Sequence, residues 1–401
     1  MTVAADNAVR KSEERRALGT ACGAHALHDG YTDLVYVMLP IWQSEFGLGF
    51  AALGLMKTVF SGTLAGLQIP SGFLSERFGA PVVLALGTAL AGLGYCFAGF
   101  STGVASLVAA LFIGGLGAST QHPLASSLIA QAFSGARSRQ ALGTYNFAGD
   151  IGKMTLPAAA SLLFVVMPWR QALIVLGGFG VLAAIAILVA MPRLRALPAQ
   201  EKNAERARSN GRLQSYGFPL LLSVGVIDSA TRMAFLTFLP FVLTAKGASL
   251  PTIGLALTLV FAGGAAGKLV CAYIGARIGT VATVWLTEGV TAIGIVALLP
   301  LPLETAMVLL PVVGVALNGT SSVLYGSVPD LVAPERRARA FSIFYTGTIG
   351  AGAISPAIYG LLGDAVGVNW ALVVVAAIVL ATLPLTLLLR PALISVPASS
   401  P

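Results

Sequence analysis

The sequence predicts an all-α membrane protein, with twelve transmembrane helices in two pseudo-symmetric six-helix bundles. Three observations carry this reading. Of 401 residues, 56% are hydrophobic and only 10% are charged, and the mean hydropathy is +0.86. Soluble domains carry about 25% charged residues, so this much apolar surface cannot hide in one aqueous core. A disordered chain is excluded as well, since disorder needs low hydrophobicity and high charge. Apolar runs recur along the whole chain, and at roughly 20 residues per crossing the length holds about twelve. Finally, the second half of the chain repeats the first. The 46 Gly and 21 Pro fit this picture, because both are more frequent in transmembrane helices than in soluble ones.

The elements follow in order. Residues 1–16 are polar and charged and precede an apolar run long enough to span, so no cleavable signal peptide is expected. Crossings are predicted at 18–42, 50–74, 80–100, 104–131, 140–167 and 170–191, forming an N-terminal bundle over 1–191. The only long polar stretch, 192–213, reads as a cytoplasmic linker. Crossings at 215–244, 251–274, 281–300, 304–329, 340–362 and 368–389 form a C-terminal bundle over 214–401. With both termini cytoplasmic, the inner segments collect most of the 24 Lys and Arg, from Arg10 and Lys11 through Arg77, Arg137 and Arg277 to Arg336, Arg337, Arg339 and Arg390. The outer loops hold only Arg170 and Lys246. The positive-inside rule sets this orientation, in a bacterial inner (plasma) membrane. The net charge of +8 is therefore topogenic, and no nucleic-acid partner is implied. Cys22, Cys96 and Cys271 are an odd, membrane-embedded set, which argues against a disulfide framework.

The repeat has an offset of 200 residues at first. Leu39-Pro40 matches Leu239-Pro240, Gly54-Leu55 matches Gly254-Leu255, and Arg77 and Gly79 match Arg277 and Gly279. Later the offset slips to 198 or 199: Gly149 and Gly152 pair with Gly347 and Gly350, and Pro157-Ala158 with Pro356-Ala357. Two bundles of the same orientation are parallel repeats, the plan of transporters that rock one half against the other around a midplane site.

The first inner loop reads Gly72-Phe73-Leu74-Ser75-Glu76-Arg77-Phe78-Gly79. It resembles the G-x-L-x-D-R-x-G signature of the major facilitator superfamily, with Glu76 for Asp. The resemblance implies a gating role for Gly72, Glu76, Arg77 and Gly79, in which Glu76 meets a helix N-terminus. The second copy, Ala276-Arg277-Ile278-Gly279, lacks the acid. Further stretches, His25-Ala-Leu-His28-Asp29 with Leu39-Pro40 and Gln43-Ser44-Glu45-Phe46, and Gly115-Leu-Gly117 leading to His122-Pro123, resemble the fosmidomycin-resistance branch. That resemblance implies proton-driven export of a small anionic phosphonate. This chain departs from the branch with Leu124 after the His-Pro pair and with charges at Asp150 and Lys153.

Ionisable residues inside spans are costly and usually face a bundle interior or a watery cavity. Here they are His25, His28, Asp29, Asp33, Lys57, His122, Asp150, Lys153, Asp228, Arg232, Lys268 and Glu288. On the first span His25, His28, Asp29, Thr32, Asp33 and Tyr36 fall within an arc of about 140°, so one helix face is polar. The resemblance places all three histidines on spans that line the central cavity. A histidine beside carboxylates can hold or pass a proton near neutral pH. Asp29 is read as a proton-coupling or substrate-binding group, with a hydrogen-bonded structural pair to His25 or His28 as the alternative. Asp33 lies farther along the arc. Imidazole and carboxylate also suit a transition metal. Neighbouring cations would repel one, so neither a metal site nor a cofactor is expected.

Asp228 and Arg232 share a face of the seventh span. They form an intrahelical ion pair, or Arg232 grips an anionic substrate bidentately with Asp228 orienting it. Lys268 repeats Gln68, offering a cation where the other half has an amide. Lys57 is expected to snorkel at the outer end. Asp150 and Lys153 can neutralise each other; with Gly143, Gly149, Gly152 and Pro157 they loosely resemble the fifth-span motif of antiporters. Gln121, Asn146, Asn318 and Tyr325 are neutral candidates that either touch a ligand or bridge helices. Glu288, on the ninth span, is left without a role, with a peripheral place as its reading.

These residues add up to a proton-coupled secondary transporter. It is expected to export a small organic anion or drug-like molecule by alternating access, with Arg232 and Lys268 attracting the anion and Asp29 with His122 linked to protons. The alternatives are a proton-coupled importer of a small metabolite and, behind it, a transition-metal transporter. No nucleophile–base constellation or H-E-x-x-H spacing appears, so no enzyme is expected. The expected partners are a small-molecule substrate, protons and the lipid bilayer, and the protein is expected to be a monomer.

Overall fold

In hydrocarbon, backbone N–H and C=O groups find no water, which leaves helices or closed barrels. The computed structural model describes residues 2–133, 135–192, 216–332 and 336–394, and these are helical almost throughout. The helices are α1 (Thr2–Phe46), α2 (Phe50–Gly66), α3 (Gln68–Phe78), α4 (Ala80–Gly99), α5 (Val104–Ala118), α6 (Gln121–Ala132), α7 (Gly135–Val166) and α8 (Trp169–Ala190). They continue as α9 (Gly217–Ala245), α10 (Leu250–Leu298), α11 (Leu303–Ser327), α12 (Arg337–Val366), α13 (Val368–Val379) and α14 (Thr382–Ile394). Nearly all of the expected linker 192–213 lies outside the described residues, as do the side chains of Arg10 and Arg139.

Every expected crossing is helical. Among the described residues ten helical stretches are long and apolar enough to span a membrane, with α5 and α6 counted together, α13 and α14 together and α10 as two, and the α2–α3 pair, bent by 45°, makes eleven. The helix α1 falls short of that apolarity because its crossing segment carries His25, His28, Asp29 and Asp33. Three expected single spans are each two helices. Each break falls at or beside the position four residues ahead of a proline: Leu67 with Pro70, Ser119 with Pro123, and Leu380 with Pro384. Proline cannot donate to the carbonyl four residues back, and its ring clashes with that carbonyl. Conversely, the expected eighth and ninth spans are joined in α10 across a kink at Gly279.

The repeat is visible in the backbone. Gly79 and Gly279 have φ of 87° and 82°, and Gly47 and Gly247 have 62° and 87°. These left-handed turns favour glycine, and their 200-residue spacing is that of the sequence repeat. The three cysteines are free thiols.

The chain divides into two compact units, Met1–Met38 with Val59–Asn203, and Leu39–Thr58 with Ala204–Pro401. The end of α1 and the start of α2, Leu39–Thr58, group with the second unit. There Asp364 of α12 accepts hydrogen bonds from Phe50 N–H at 2.6 Å and Ala51 N–H at 3.0 Å, capping α2. A carboxylate is favoured at a helix N-terminus. Large apolar side chains such as Val189, Leu269 and Val308 stand exposed, the surface that lipid covers in a membrane protein.

In the first unit α7 crosses α1 with almost no space between backbones. A Cβ on Gly152 would lie 1.8 Å from the Ala26 carbonyl oxygen. Gly152→Ala is therefore expected to lower stability by about 1–3 kcal/mol through overpacking. Gly178→Ala, where a Cβ meets nothing within 4 Å, is expected to be neutral or slightly stabilising. Thermal unfolding midpoints of the two purified variants check the contrast.

Candidate functional site

In the first unit the polar face of α1 meets α6 and α7. His25, His28, Asp29 and Asp33 are all buried. Gly149 lets α7 approach the cluster: a Cβ there would lie 2.5 Å from Asp29 Oδ2 and 2.6 Å from His25 Cε1. The break before Pro123 starts α6 at Gln121, and His122 projects from its first turn. The His122 ring sits edge-on to both other imidazoles, with centroids 5.2 Å from His25 and 4.8 Å from His28. The His25 ring stacks on Tyr145 at 3.9 Å.

His25 Nδ1 is 2.8 Å from the Tyr145 carbonyl oxygen. A carbonyl only accepts, so Nδ1 carries the hydrogen, and in the neutral ring Nε2 is a bare lone pair. That Nε2 faces Asp29 Oδ1 at 3.4 Å and has no hydrogen-bond partner. His28 Nε2 is 3.7 Å from the same oxygen and is likewise without a partner. A lone pair pointing at a carboxylate is repulsive; one added proton turns the contact into a charge-assisted bond. The other carboxylate oxygen, Oδ2, lies 3.3 Å from Lys153 Nζ. Lys153, expected to neutralise Asp150, thus reaches α1. His25, Asp29 and His122 offer donor atoms within 4.8 Å of one another, a spacing that suits a metal ion. The Lys153 ammonium is already a cation on that carboxylate, and a dication beside it would be repelled.

The second unit gathers Asp228, Ser229 and Arg232 of α9 with Ser321 and Tyr325 of α11 and Thr348 of α12 around a small cavity. Tyr325 Oη is 3.5 Å from Thr348 Oγ1. No contact ion pair joins Asp228 to Arg232 among the described residues. Arg232 Nε is buried without a hydrogen-bond partner. The intrahelical pair is therefore looser than expected. The arrangement presents a guanidinium and several hydroxyls, the donors that an anion takes.

Other candidates are placed as follows. Gln121 is buried, with its Nε2 unpartnered. Asp150 is buried, Asn146 exposed and Lys268 half-buried. Gly72, Glu76 and Gly79 line a cavity of about 1220 Å³ together with Ile69, Phe73 and Ser127. Glu76 is exposed, and the Arg77 guanidinium lies over the Phe78 ring at 5.4 Å. Two readings are corrected. Lys57 is 1% exposed and does not snorkel. Glu288 is also 1% exposed, and its Oε1 has no hydrogen-bond partner, so it is buried rather than peripheral. The Tyr145 carbonyl was beyond sequence reasoning, because a backbone acceptor leaves no compositional mark. Glu288 did leave a signal, an acid inside an apolar run.

Because Lys153 and Asp29 contact each other, their replacements are expected not to add. Asp29→Asn combined with Lys153→Met should cost less than the two single changes summed, with a coupling of about 0.5–3 kcal/mol. A double-mutant cycle on denaturation midpoints measures it.

The model of the Major Facilitator Superfamily matches residues 21–225 and 220–400. The chain is 26% identical over 355 residues to the fosmidomycin resistance protein of Escherichia coli (strain K12), covering 86% of each chain. It is also 26% identical over 379 residues to the probable sulfoacetate transporter SauU of Cupriavidus necator, covering 87% of each. Among solved structures, a bacterial homolog to the human lysosomal transporter Spinster, inward-facing and occupied, superposes with a TM-score of 0.78 at 15% identity, covering 94% of this chain and 96% of that one. With helices at every expected crossing, charge clusters buried among them and this match over nearly the whole length, the chain belongs to the major facilitator superfamily of membrane transporters.

Proposed function

We propose that this protein is a proton-coupled secondary transporter that exports a small organic anion or drug-like molecule by alternating access. The observation that carries the reading is the His25–Asp29 contact, in which a bare imidazole nitrogen faces a carboxylate oxygen at 3.4 Å. The contact is one proton short of a bond. Loading the proton removes a repulsion inside a buried cluster, and releasing it restores the strain. A local change of this kind biases a two-state element. The His28 and His122 rings lie edge-on beside the contact, with centroids 4.8 Å apart, and Lys153 keeps Asp29 anchored from its other oxygen.

The anion half of the reading rests on Arg232. Its Nε has no partner, and Ser229, Ser321, Tyr325 and Thr348 offer hydroxyls around the same cavity. Sulfoacetate, the cargo in the name of one relative, is an organic anion of the class such donors hold. The resemblance to the fosmidomycin-resistance branch favours export, in a reading with the bacterial inner membrane, both termini cytoplasmic and Glu76, Arg77, Gly72 and Gly79 gating the inner side. Import of a metabolite is the second reading, for which sulfoacetate, the cargo named for one relative, serves as the probe. Cellular accumulation against efflux of labelled sulfoacetate separates the two.

Proteoliposomes holding an internal pH indicator test the coupling, with sulfoacetate and fosmidomycin as probes. Asp29→Asn is expected to abolish the substrate-driven pH change while leaving the protein folded; an unchanged signal removes Asp29 from the coupling. For the anion site, a probe at about 100 times its Kd stabilises the folded state by roughly 2.7 kcal/mol. Arg232→Gln is expected to lose most of that shift in thermal unfolding, and full retention would place the anion elsewhere.

A further inference from the structure

The two copies of the repeat cap the helix after their first turn in different ways. In the second copy Ser249 precedes α10, and its own Oγ accepts a hydrogen bond from Thr252 N–H at 3.4 Å. The first copy has Gly49 at that position, 200 residues earlier, and glycine has no side chain with which to cap. The first amides of α2 are taken instead by a distant residue. Asp364, in the last turn of α12, accepts from Phe50 N–H at 2.6 Å with Oδ1 and from Ala51 N–H at 3.0 Å with Oδ2.

Positions 49 and 364 fit each other closely. A Cβ on Gly49 would lie 2.9 Å from both carboxylate oxygens, so a side chain there evicts Asp364. Beside the cap the two helices touch backbone to backbone. A Cβ on Gly54 would lie 2.0 Å from the Pro356 carbonyl oxygen, and one on Gly360 2.4 Å from the Phe50 carbonyl oxygen. All of these residues lie in the second compact unit, although α2 from Val59 onward groups with the first. The first copy has no equivalent acid: at the offset of 199 that pairs Pro157 with Pro356, Asp364 pairs with Val165.

A cap supplied by the helix's own sequence holds in every conformation of the protein. A cap supplied by another helix holds only while the two helices are together. Parting α2 from α12 therefore leaves the first amides of α2 without a side-chain acceptor, which counts against the parted state. Asp364 is exposed, so water can take its place on those amides and the tie is reversible.

We propose that Asp364 is a latch residue: its carboxylate, clasping the start of α2, holds the outer ends of α2 and α12 together and favours the conformation closed to the outside. The proposal rests on the alternating-access reading and its orientation, and gives the outer side a fastening distinct from the inner-side residues Gly72, Glu76, Arg77 and Gly79.

The test uses the full chain in lipid nanodiscs, with Cys22, Cys96 and Cys271 replaced by alanine and nitroxide labels at the exposed positions Ser44 and Ala365. Double electron–electron resonance reads the separation of the labels without substrate. Asp364→Ala is expected to raise the ratio of long to short separations about tenfold, the scale of one lost helix cap. Gly49→Ser installs the local cap of the second copy while evicting Asp364. It is expected to raise the same ratio without lowering the thermal unfolding midpoint. An unchanged ratio in Asp364→Ala overturns the latch. A shift in Asp364→Ala without one in Gly49→Ser also overturns it, because uncapping alone then moves the helices. Should Asp364→Ala fail to fold, Gly49→Ser, which keeps α2 capped, decides by itself. The wider reading fails differently. Separations that respond to sulfoacetate or fosmidomycin in the parent, with variants that match it, overturn the latch and leave alternating access standing. A shift in both variants with no substrate-driven pH change in proteoliposomes overturns proton coupling and leaves the latch.

Discussion

The structure turns on one buried carboxylate. Asp29 sits on a helix that must lie among other helices, yet it carries a charge that hydrocarbon does not tolerate. Its two oxygens divide the work: Oδ2 meets the Lys153 ammonium and Oδ1 faces two imidazole nitrogens. Both arrangements depend on how closely α7 lies on α1, which Gly149 and Gly152 permit. A methyl group at either position would push α7 away and separate Lys153 from its partner. The packing of small residues and the electrostatics of the cluster are therefore one constraint.

The internal repeat gives the two units the same turns and divergent chemistry. Gly47 with Gly247 and Gly79 with Gly279 repeat in backbone conformation as well as identity. Between those matching corners, His28 in one half stands where Asp228 stands in the other, and Thr32 where Arg232 stands. One half thus gathers imidazoles around an acid with a lysine. The other gathers an acid and a guanidinium with several hydroxyls around a small cavity. A duplicated scaffold supplies positions, and substitution at those positions supplies distinct ionic groups without disturbing the turns.

Proline sets where the long spans break. The break ahead of Pro123 begins α6 at Gln121 and brings His122 into the first turn of a new helix, next to α1. An uninterrupted helix would carry that ring in a different direction. Elsewhere proline sits inside helices without ending them, as at Pro40, Pro157 and Pro240. Neighbouring helices in a membrane protein can re-satisfy the freed carbonyl, so position within the bundle decides which prolines break a span.

The class, the helix positions, the repeat and the shortlist of ionic residues are all legible along the chain. These follow from local rules: apolar length, turn glycines, and the cost of charge in hydrocarbon. The tertiary structure decided the partners. Periodicity placed Lys153 near Asp150, but which helix it reaches depends on the crossing of α7 over α1. Position along the chain left Glu288 unassigned and put Lys57 near the outer end, while packing buried both. The His25 tautomer rests on a backbone carbonyl contributed from 120 residues away. Contacts between distant helices are set by three-dimensional packing, and a one-dimensional pattern carries no term for them.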